Sequence, residues 1–361
     1  MTTQTAPNQQ DIGAMVRTEV ERTIQRAVRG IDVVLSRDEP DVGQTPKDVI
    51  YERGTMKLYH YHPQSDEVYR IPVMLVMSLV SKPYILDLAP GQSFVEYLLK
   101  NGFDVFMIDW GIPRPEDSKL RLENYCQDFI PSCVEQVREA TGERDVSLVG
   151  YCMGGLLALI YAGVYEETPV ANLVCIATPV DYEGMGLFRT WSDPRWFDVD
   201  RVVDTLGNIP PEMMYRSFEM LRPADRLVSY VRLWDNLWND AYVQNYRLFN
   251  KWTSEQIPFP GECYRQTTKD LMWENKLMKG ALEVGGKPVD LKRIKFPVLN
   301  AMAQHDHIAP YDATHPLTTL IGSEDKEDVI LKGGHVSLVA GLNAVLRLWP
   351  KVNQWLSVRS V

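Results

Sequence analysis

The stretch Val146-Ser147-Leu148-Val149-Gly150-Tyr151-Cys152-Met153-Gly154-Gly155-Leu156 decides how the rest of the chain reads. Val146 to Val149 reads as a buried strand, and the apolar run from Leu156 to Tyr165 reads as a helix. Between them stands G-x-C-x-G, a turn so sharp that the central residue takes strained backbone angles. Only glycine at positions 150 and 154 leaves room for that turn against the adjacent strand and helix. The form is a nucleophile elbow with cysteine in the serine position. It sets a sulfur at a helix N-terminus, where unpaired N–H groups and the helix dipole favour thiolates. By itself the motif leaves two other uses open, since Gly-rich strand-to-helix turns also bind phosphates or serve tight packing alone.

Outward from this turn, strand and helix alternate. Val73–Met77, Tyr84–Leu88, Val105–Asp109, Leu173–Ala177, Val298–Met302 and Val329–Leu331 read as further short buried strands. Phe94–Lys100 and Pro131–Ala140 read as helices between them. Such alternation predicts a mostly parallel sheet covered by helices on both faces. Residues 1–11 are polar and read as frayed. From Ile12 to Leu35 the apolar residues Ile12, Met15, Val16, Val20, Ile24, Val28 and Ile31 recur mostly every three or four positions, which predicts an amphipathic helix. That helix serves either to dock a partner or to pack on the domain. The alternation stops between Asp181 and about Lys295, a stretch that holds six of the nine tryptophans (Trp191, Trp196, Trp234, Trp238, Trp252, Trp273). It reads first as a helical insertion with its own aromatic core, and a cap over an apolar site is compatible with that reading. The expected division is therefore a helix and linker at 1–45, a first core part at 46–180, a cap at 181–295 and a second core part at 296–361.

Two later loops carry the groups a cysteine nucleophile needs, in the chain order nucleophile, acid, base. The strand at Val298 leads into Gln304-His305-Asp306-His307, and the strand at Val329 ends in Gly333-Gly334-His335. His335 is the expected general base for the Cys152 thiol, with Asp306 orienting the imidazole and stabilising its cation. Asp312, deeper in the same loop, and Asp181, earlier in the chain, are the competing carboxylates. His305 and His307 flank Asp306, but histidines at i, i+2 with no further ligands nearby make a poor metal site, and His60 and His62 lie far off in sequence. They read as loop packing residues, and no metal or cofactor is expected. An oxyanion hole needs the N–H after the nucleophile, that of Met153, and a second N–H from the segment where the strand at Val73 runs out: one of Ser78, Leu79 and Val80. Trp110 reads either as an acyl-pocket wall or as core. The arrangement predicts an α/β-hydrolase fold with a helical, aromatic-rich cap.

Composition narrows the setting. The chain has 361 residues, 45% of them hydrophobic, with 38 Lys and Arg against 48 Asp and Glu for a net charge of −10. That is ample core material for one large or two smaller domains, and it excludes a mainly disordered chain. The acidic balance argues against duplex nucleic acid as a partner, and a small anionic substrate needs a local basic patch. The longest uncharged run, Val146 to Tyr165, is interrupted by three glycines and reads as strand, turn and helix, not as a membrane span. No basic residue precedes Arg17 and no short apolar run with a small-residue cleavage site follows it, so no secretory signal is expected and the cytoplasm is the expected location. The five cysteines form no C-x-x-C pair and are expected to be free thiols.

Cysteine also bears on the substrate. A thiolate attacking an oxygen ester makes a less stable thioester, whereas attack on a coenzyme A thioester exchanges like for like and leaves an acyl group waiting for an alcohol. The same preference is compatible with a hydrolase or polyester depolymerase of this fold, which uses water as acceptor.

Beyond the elbow, several motifs are specific in combination: Val42-Gly43-Gln44-Thr45-Pro46, Lys82-Pro83-Tyr84-Ile85-Leu86-Asp87-Leu88, and Gly102-Phe103-Asp104-Val105 running into Asp109-Trp110-Gly111. Gly207-Asn208-Ile209-Pro210-Pro211, Asp306-His307-Ile308-Ala309-Pro310 and Gly334-His335-Val336-Ser337 complete the set. From about Val42 onward the chain resembles polyhydroxyalkanoate synthases, in particular the short catalytic subunits of class III and class IV. It departs from many of them at Ser81, where they carry Asn. The resemblance carries the nucleophile onto Cys152, the carboxylate onto Asp306 and the imidazole onto His335. It implies polymerisation of (R)-3-hydroxyacyl-CoA, with 3-hydroxybutyryl-CoA the leading substrate, into a polyester with release of coenzyme A. It also implies a homodimer, a second synthase subunit and residence on cytoplasmic polyester granules.

Overall fold

A computed structural model describes residues 9–35 and 39–361. The frayed end expected at residues 1–11 lies, for its first eight residues, outside the described part. Ten strands are present among the described residues: β1 (Lys47–Arg53), β2 (Met56–Tyr61), β3 (Val73–Val76), β4 (Val105–Asp109), β5 (Val146–Tyr151), β6 (Val170–Ile176), β7 (Glu283–Val284), β8 (Lys287–Pro288), β9 (Val298–Ala303) and β10 (Lys326–Leu331). Eight of them form one sheet in the order β1-β2-β4-β3-β5-β6-β9-β10, and β7 and β8 form a separate two-stranded ribbon.

From β4 to β10 across the sheet every pairing is parallel, while β1, β2 and β4 pair antiparallel at one edge. The buried centre explains the composition of its strands. Every residue of β3 and β5 is buried, so these strands read as continuous apolar runs instead of alternating ones. The helices Phe94–Lys100, Ile130–Thr141, Met153–Val164 and Trp349–Ser357 accompany the sheet. This is the expected α/β-hydrolase fold.

Three features differ from expectation. Tyr84–Leu88 is not a strand: Pro83–Leu86 forms a 3-10 helix, with Pro83 at its start and the Asp87 N–H donating to the Tyr84 carbonyl. Pro fixes φ near helical values and cannot donate to a ladder. Burial of Ile85 and Leu86 in this turn gave the segment its strand-like apolar pattern. Second, the hairpin of β1 and β2 is additional; its turn passes through Gly54 at φ 64°, and a bulge between Val49 and Tyr51 breaks the alternation that marks a strand in sequence. Third, the region 181–295 is helical for much of its length and packs Phe188 edge-on against Trp191 and Phe218, but its tryptophans are not gathered into one core: Trp196 and Trp234 are 59% and 55% exposed while Trp252 is buried.

The chain forms two compact units whose limits differ from the four expected segments: Val42–Leu221 with Trp252–Val361, and Met1–Asp41 with Arg222–Lys251. The first carries the sheet. Residues 181–221 and 252–295 belong to it because they bury Val199, Val203 and Ile209 and pair Ile209 with Phe259. The second unit contains the helix Gln9–Leu35 and the helix Pro223–Asp235. Within it, Arg22 lies over the Trp238 ring at 4.5 Å, and a side chain on Gly30 would touch Leu237 and Trp234. The apolar stripe Met15, Val16, Val20, Ile24 and Val28 is exposed, each residue by more than half. No helix among the described residues is long and apolar enough to cross a membrane.

Candidate active site

β5 delivers Cys152 to the end of the sheet, and the helix Met153–Val164 starts immediately after it. Cys152 has φ 54° and ψ −121°, a conformation that costs a non-glycine residue of order 1–3 kcal/mol and persists only when its surroundings enforce it. The enforcement is steric. A Cβ on Gly150 would fall 2.3 Å from Gly155 Cα, and one on Gly154 would fall 2.0 Å from the Val76 carbonyl oxygen. The turn is further pinned by the Cys152 N–H, which donates to Ile176 O at 2.8 Å. Cys152 is half-buried, whereas the other four thiols (Cys126, Cys133, Cys175, Cys263) are buried and no cysteine is disulfide-bonded. Burial pushes the Cys133 and Cys175 thiols up to about 12 and raises Cys126 and Cys263 likewise, so these four stay protonated at neutral pH.

Asp306 and His335 follow β9 and β10, which are neighbours in the sheet. Backbone bonds join their loops: Gln304 N–H donates to Leu331 O at 2.8 Å and His305 N–H to Gly333 O at 2.9 Å. Asp306 is buried, and its Oδ1 accepts the N–H groups of Ile308 and Ala309 at 2.8 and 2.9 Å. Its Oδ2 lies 2.7 Å from His335 Nδ1. His335 is 5% exposed, with the Tyr151 ring tilted against the imidazole at 5.0 Å between centroids. The Cys152 side chain lies close enough to the same imidazole to favour its protonated form. Burial disfavours the imidazolium, but the interactions with Asp306 first and Cys152 second outweigh that cost and raise His335 from 6.5 to about 10.

The other candidates fall elsewhere. Asp312 is exposed, and Asp181 caps the turn at Tyr182–Gly184 through Glu183 N–H and accepts from Asn275 Nδ2. His305 is exposed and His307 half-buried. His60 pairs with Asp104 and His62 with Asp48, and among the described residues no three His, Cys, Asp or Glu side chains cluster as metal ligands do.

Met153 occupies the first helical position, where helix geometry supplies no acceptor for its N–H. The close approach of Gly154 to Val76 and Met77 brings the end of β3 against the same turn. Beyond it Ser78 and Leu79 are buried, and the Ser78 hydroxyl finds no partner among the described residues. Val80 is half-buried and its carbonyl accepts the Ile257 N–H at 3.2 Å. Ser81 bridges Gln256, and Trp252 Nε1–H donates to Lys82 O at 3.0 Å, so the stretch Trp252–Ile257 clamps this loop. Trp110 is core: it is buried, stacks edge-on with Tyr125 at 5.2 Å and donates to Met77 O at 2.8 Å. Sequence reasoning missed the clamp and missed Tyr182, which is buried close enough to Cys152 for a charge there to oppose its ionisation. Neither has a local signal; Tyr151, beside Cys152 in the chain, had one.

Comparison with known proteins fits this geometry. Residues 86–341 match the family described as alpha/beta hydrolase fold, and residues 39–98 match the poly-beta-hydroxybutyrate polymerase (PhaC) N-terminus. The poly(3-hydroxyalkanoate) polymerase subunit PhaC of Allochromatium vinosum is 35% identical over 335 residues, covering 92% of this chain and 94% of that protein. The chain belongs to the PhaC family. The PhaC subunit of Thiocystis violacea is 34% identical with the same coverage, and that of Haloferax mediterranei is 35% identical over 93% of this chain and 69% of its own length. The chain shares its fold, at 16% identity, with a monoglyceride lipase from Saccharomyces cerevisiae (TM-score 0.55, covering 90% of this chain and 99% of that one) and an esterase from Thermogutta terrifontis (TM-score 0.53, covering 87% and 99%).

Proposed function

We propose that the protein polymerises (R)-3-hydroxyacyl-CoA, with 3-hydroxybutyryl-CoA as leading substrate, into polyhydroxyalkanoate through an acyl-cysteine intermediate. The observation that carries this reading is the strained, half-buried Cys152 at a helix start, beside a buried imidazole that is itself bonded to Asp306. His335 accepts the Cys152 proton through one nitrogen, while Asp306 holds the other and stabilises the cation. The thiolate adds to the thioester carbonyl. The N–H of Met153 and one from Ser78, Leu79 or Val80 stabilise the oxyanion. Collapse breaks the bond to coenzyme A, which leaves as a thiol with the proton from His335, and the acyl group stays on sulfur. A hydroxyl of the growing polyester, or of another hydroxyacyl unit, then gives up its proton to His335 or Asp306 and attacks the acyl-cysteine, extending the chain by one ester and freeing the thiol.

Exchange of one thioester for another proceeds at nearly even free energy, which suits a cysteine better than a serine at this step. No cofactor takes part, coenzyme A being only a leaving group. The reading also includes a homodimer, a second synthase subunit, and work at the surface of cytoplasmic polyester granules. The test is Cys152→Ala, supplied with 3-hydroxybutyryl-CoA with and without candidate second subunits. Loss of both free thiol release and insoluble polyester, with the fold kept, is the expected result. Undiminished release by the variant removes the assignment of Cys152, and free hydroxy acid without polymer from the unaltered protein replaces the polymerase with a hydrolase.

A further inference from the structure

The sheet-bearing unit has a groove of about 440 Å³ beside the helix Leu187–Trp191, lined among others by Arg189, Asp193, Arg195, Trp196 and Trp273. In a chain of net charge −10 it places two guanidinium groups against one carboxylate. Asp193 holds Arg195 through contacts of 2.9 and 2.7 Å. The Arg189 guanidinium is half-buried and makes no hydrogen bond or ion pair among the described residues, while its charge reaches Asp193. Beside these cations stands a fixed flat surface. Trp196 is tied by Nε1–H to Thr190 O at 3.1 Å, with the Arg195 guanidinium 4.6 Å from its ring centroid, and still exposes 59% of its surface. A held indole stacks planar bases, and guanidinium groups match phosphate oxygens in geometry and charge.

The groove is connected to the nucleophile. Trp273 Nε1–H donates to Ser192 O, and two residues further on Asn275 accepts the Tyr182 N–H at 2.9 Å. Tyr182 in turn is buried near Cys152. Arg189 stands seven positions after Tyr182, a span of at most about 25 Å at full extension and less here because both ends are helical. A substrate that reacts at Cys152 and carries a base and phosphates on a linear arm could therefore place them in this groove.

We propose that the groove is the seat of the nucleotide end of an acyl-CoA, with the adenine on Trp196 and the phosphates on Arg189 and Arg195. This rests on the acyl-CoA reading above and adds to it the residues that bind the part of the substrate remote from the chemistry. The test uses the full-length protein, two thioesters of 3-hydroxybutyrate (one with coenzyme A, one with pantetheine), and calorimetric titration with adenosine 3′,5′-bisphosphate. Arg189→Gln is expected to lower kcat/KM for the coenzyme A thioester about tenfold more than for the pantetheine thioester, chiefly through KM, and to weaken nucleotide binding about tenfold. Trp196→Ala is expected to weaken it several-fold. Circular dichroism confirms that both variants are folded. Equal losses on the two thioesters, or nucleotide binding indifferent to both variants, overturns the groove assignment and leaves the acyl-CoA reading standing. Nucleotide binding that depends on Arg189 in a protein that consumes no acyl-CoA supports the groove and refutes the reading.

Discussion

Replacing Asp306 by Asn exchanges one carboxylate oxygen for an amide nitrogen and keeps the shape of the side chain. The carbonyl oxygen can still accept the N–H groups of Ile308 and Ala309 at 2.8 and 2.9 Å, so the loop has no reason to move. The amide nitrogen then faces His335 Nδ1, 2.7 Å away in the unaltered protein, and offers a hydrogen where a lone pair stood. The imidazole must turn Nδ1 into an acceptor and carry its proton on Nε2, the tautomer that cannot take a proton from Cys152. The charge effect has the same sign. The rise of His335 from 6.5 to about 10, against the burial that opposes it, corresponds to at most about 5 kcal/mol of net stabilisation of the imidazolium. Of the two charges responsible, Asp306 contributes more than Cys152. Removing it therefore costs about 3 to 5 kcal/mol in any step that passes through the cation, a loss of about 150- to 5,000-fold in rate. Coenzyme A release from 3-hydroxybutyryl-CoA, followed with a thiol reagent, measures the effect, with circular dichroism to confirm the fold. A folded Asp306→Asn variant within tenfold of the unaltered rate refutes the claim that Asp306 acts through the imidazole.

Further outcomes follow from the same geometry. Gly154→Ala drives a methyl to 2.0 Å from the Val76 carbonyl oxygen, so the urea midpoint should fall by the equivalent of about 3 kcal/mol or more; an unchanged midpoint contradicts the close approach. Because the folded value of His335 lies above its ordinary 6.5, its stabilising contribution is full below about pH 6.5 and is lost as the pH rises through about 10. The stability advantage of the unaltered protein over His335→Gln should therefore shrink across that window in urea titrations, and an advantage that grows with pH reverses the argument. Trp252→Phe keeps a buried ring but removes the N–H given to Lys82 O; kcat should fall about 5- to 20-fold with KM within about twofold, since the loop clamped there carries a candidate oxyanion donor. A change in KM alone would assign Trp252 to substrate binding instead.

Much of the site was legible because its requirements are local. A residue at φ 54° on this turn needs small neighbours at Gly150 and Gly154, and those glycines stand beside Cys152 in the chain. Asp306 and His335 were recognisable because each follows a strand in the order this fold uses, and β9 and β10 then bring them to 2.7 Å. The failures were of a different kind. Tyr84–Leu88 has the composition of a buried strand, yet Pro83 and the packing of Ile85 and Leu86 fold it into a turn. The helix Gln9–Leu35 forms as its periodicity predicted, but what its stripe meets was left open: within its unit Arg22 and Gly30 face the neighbouring helical segment while Val16, Val20, Ile24 and Val28 are exposed. Periodicity identifies a stripe but not the surface it meets.

The chain by itself specified the sheet, the turn that bears the sulfur and the order of the three polar groups, because hydrophobic runs and glycine positions act over a few residues. Tertiary structure alone decided which loop is held by Trp252 and Ile257, that Tyr182 lies close to Cys152, and that Trp273 joins Arg189 and Trp196 in one groove. Those are contacts between segments far apart in the chain, chosen by how whole elements pack and not by any pattern within them.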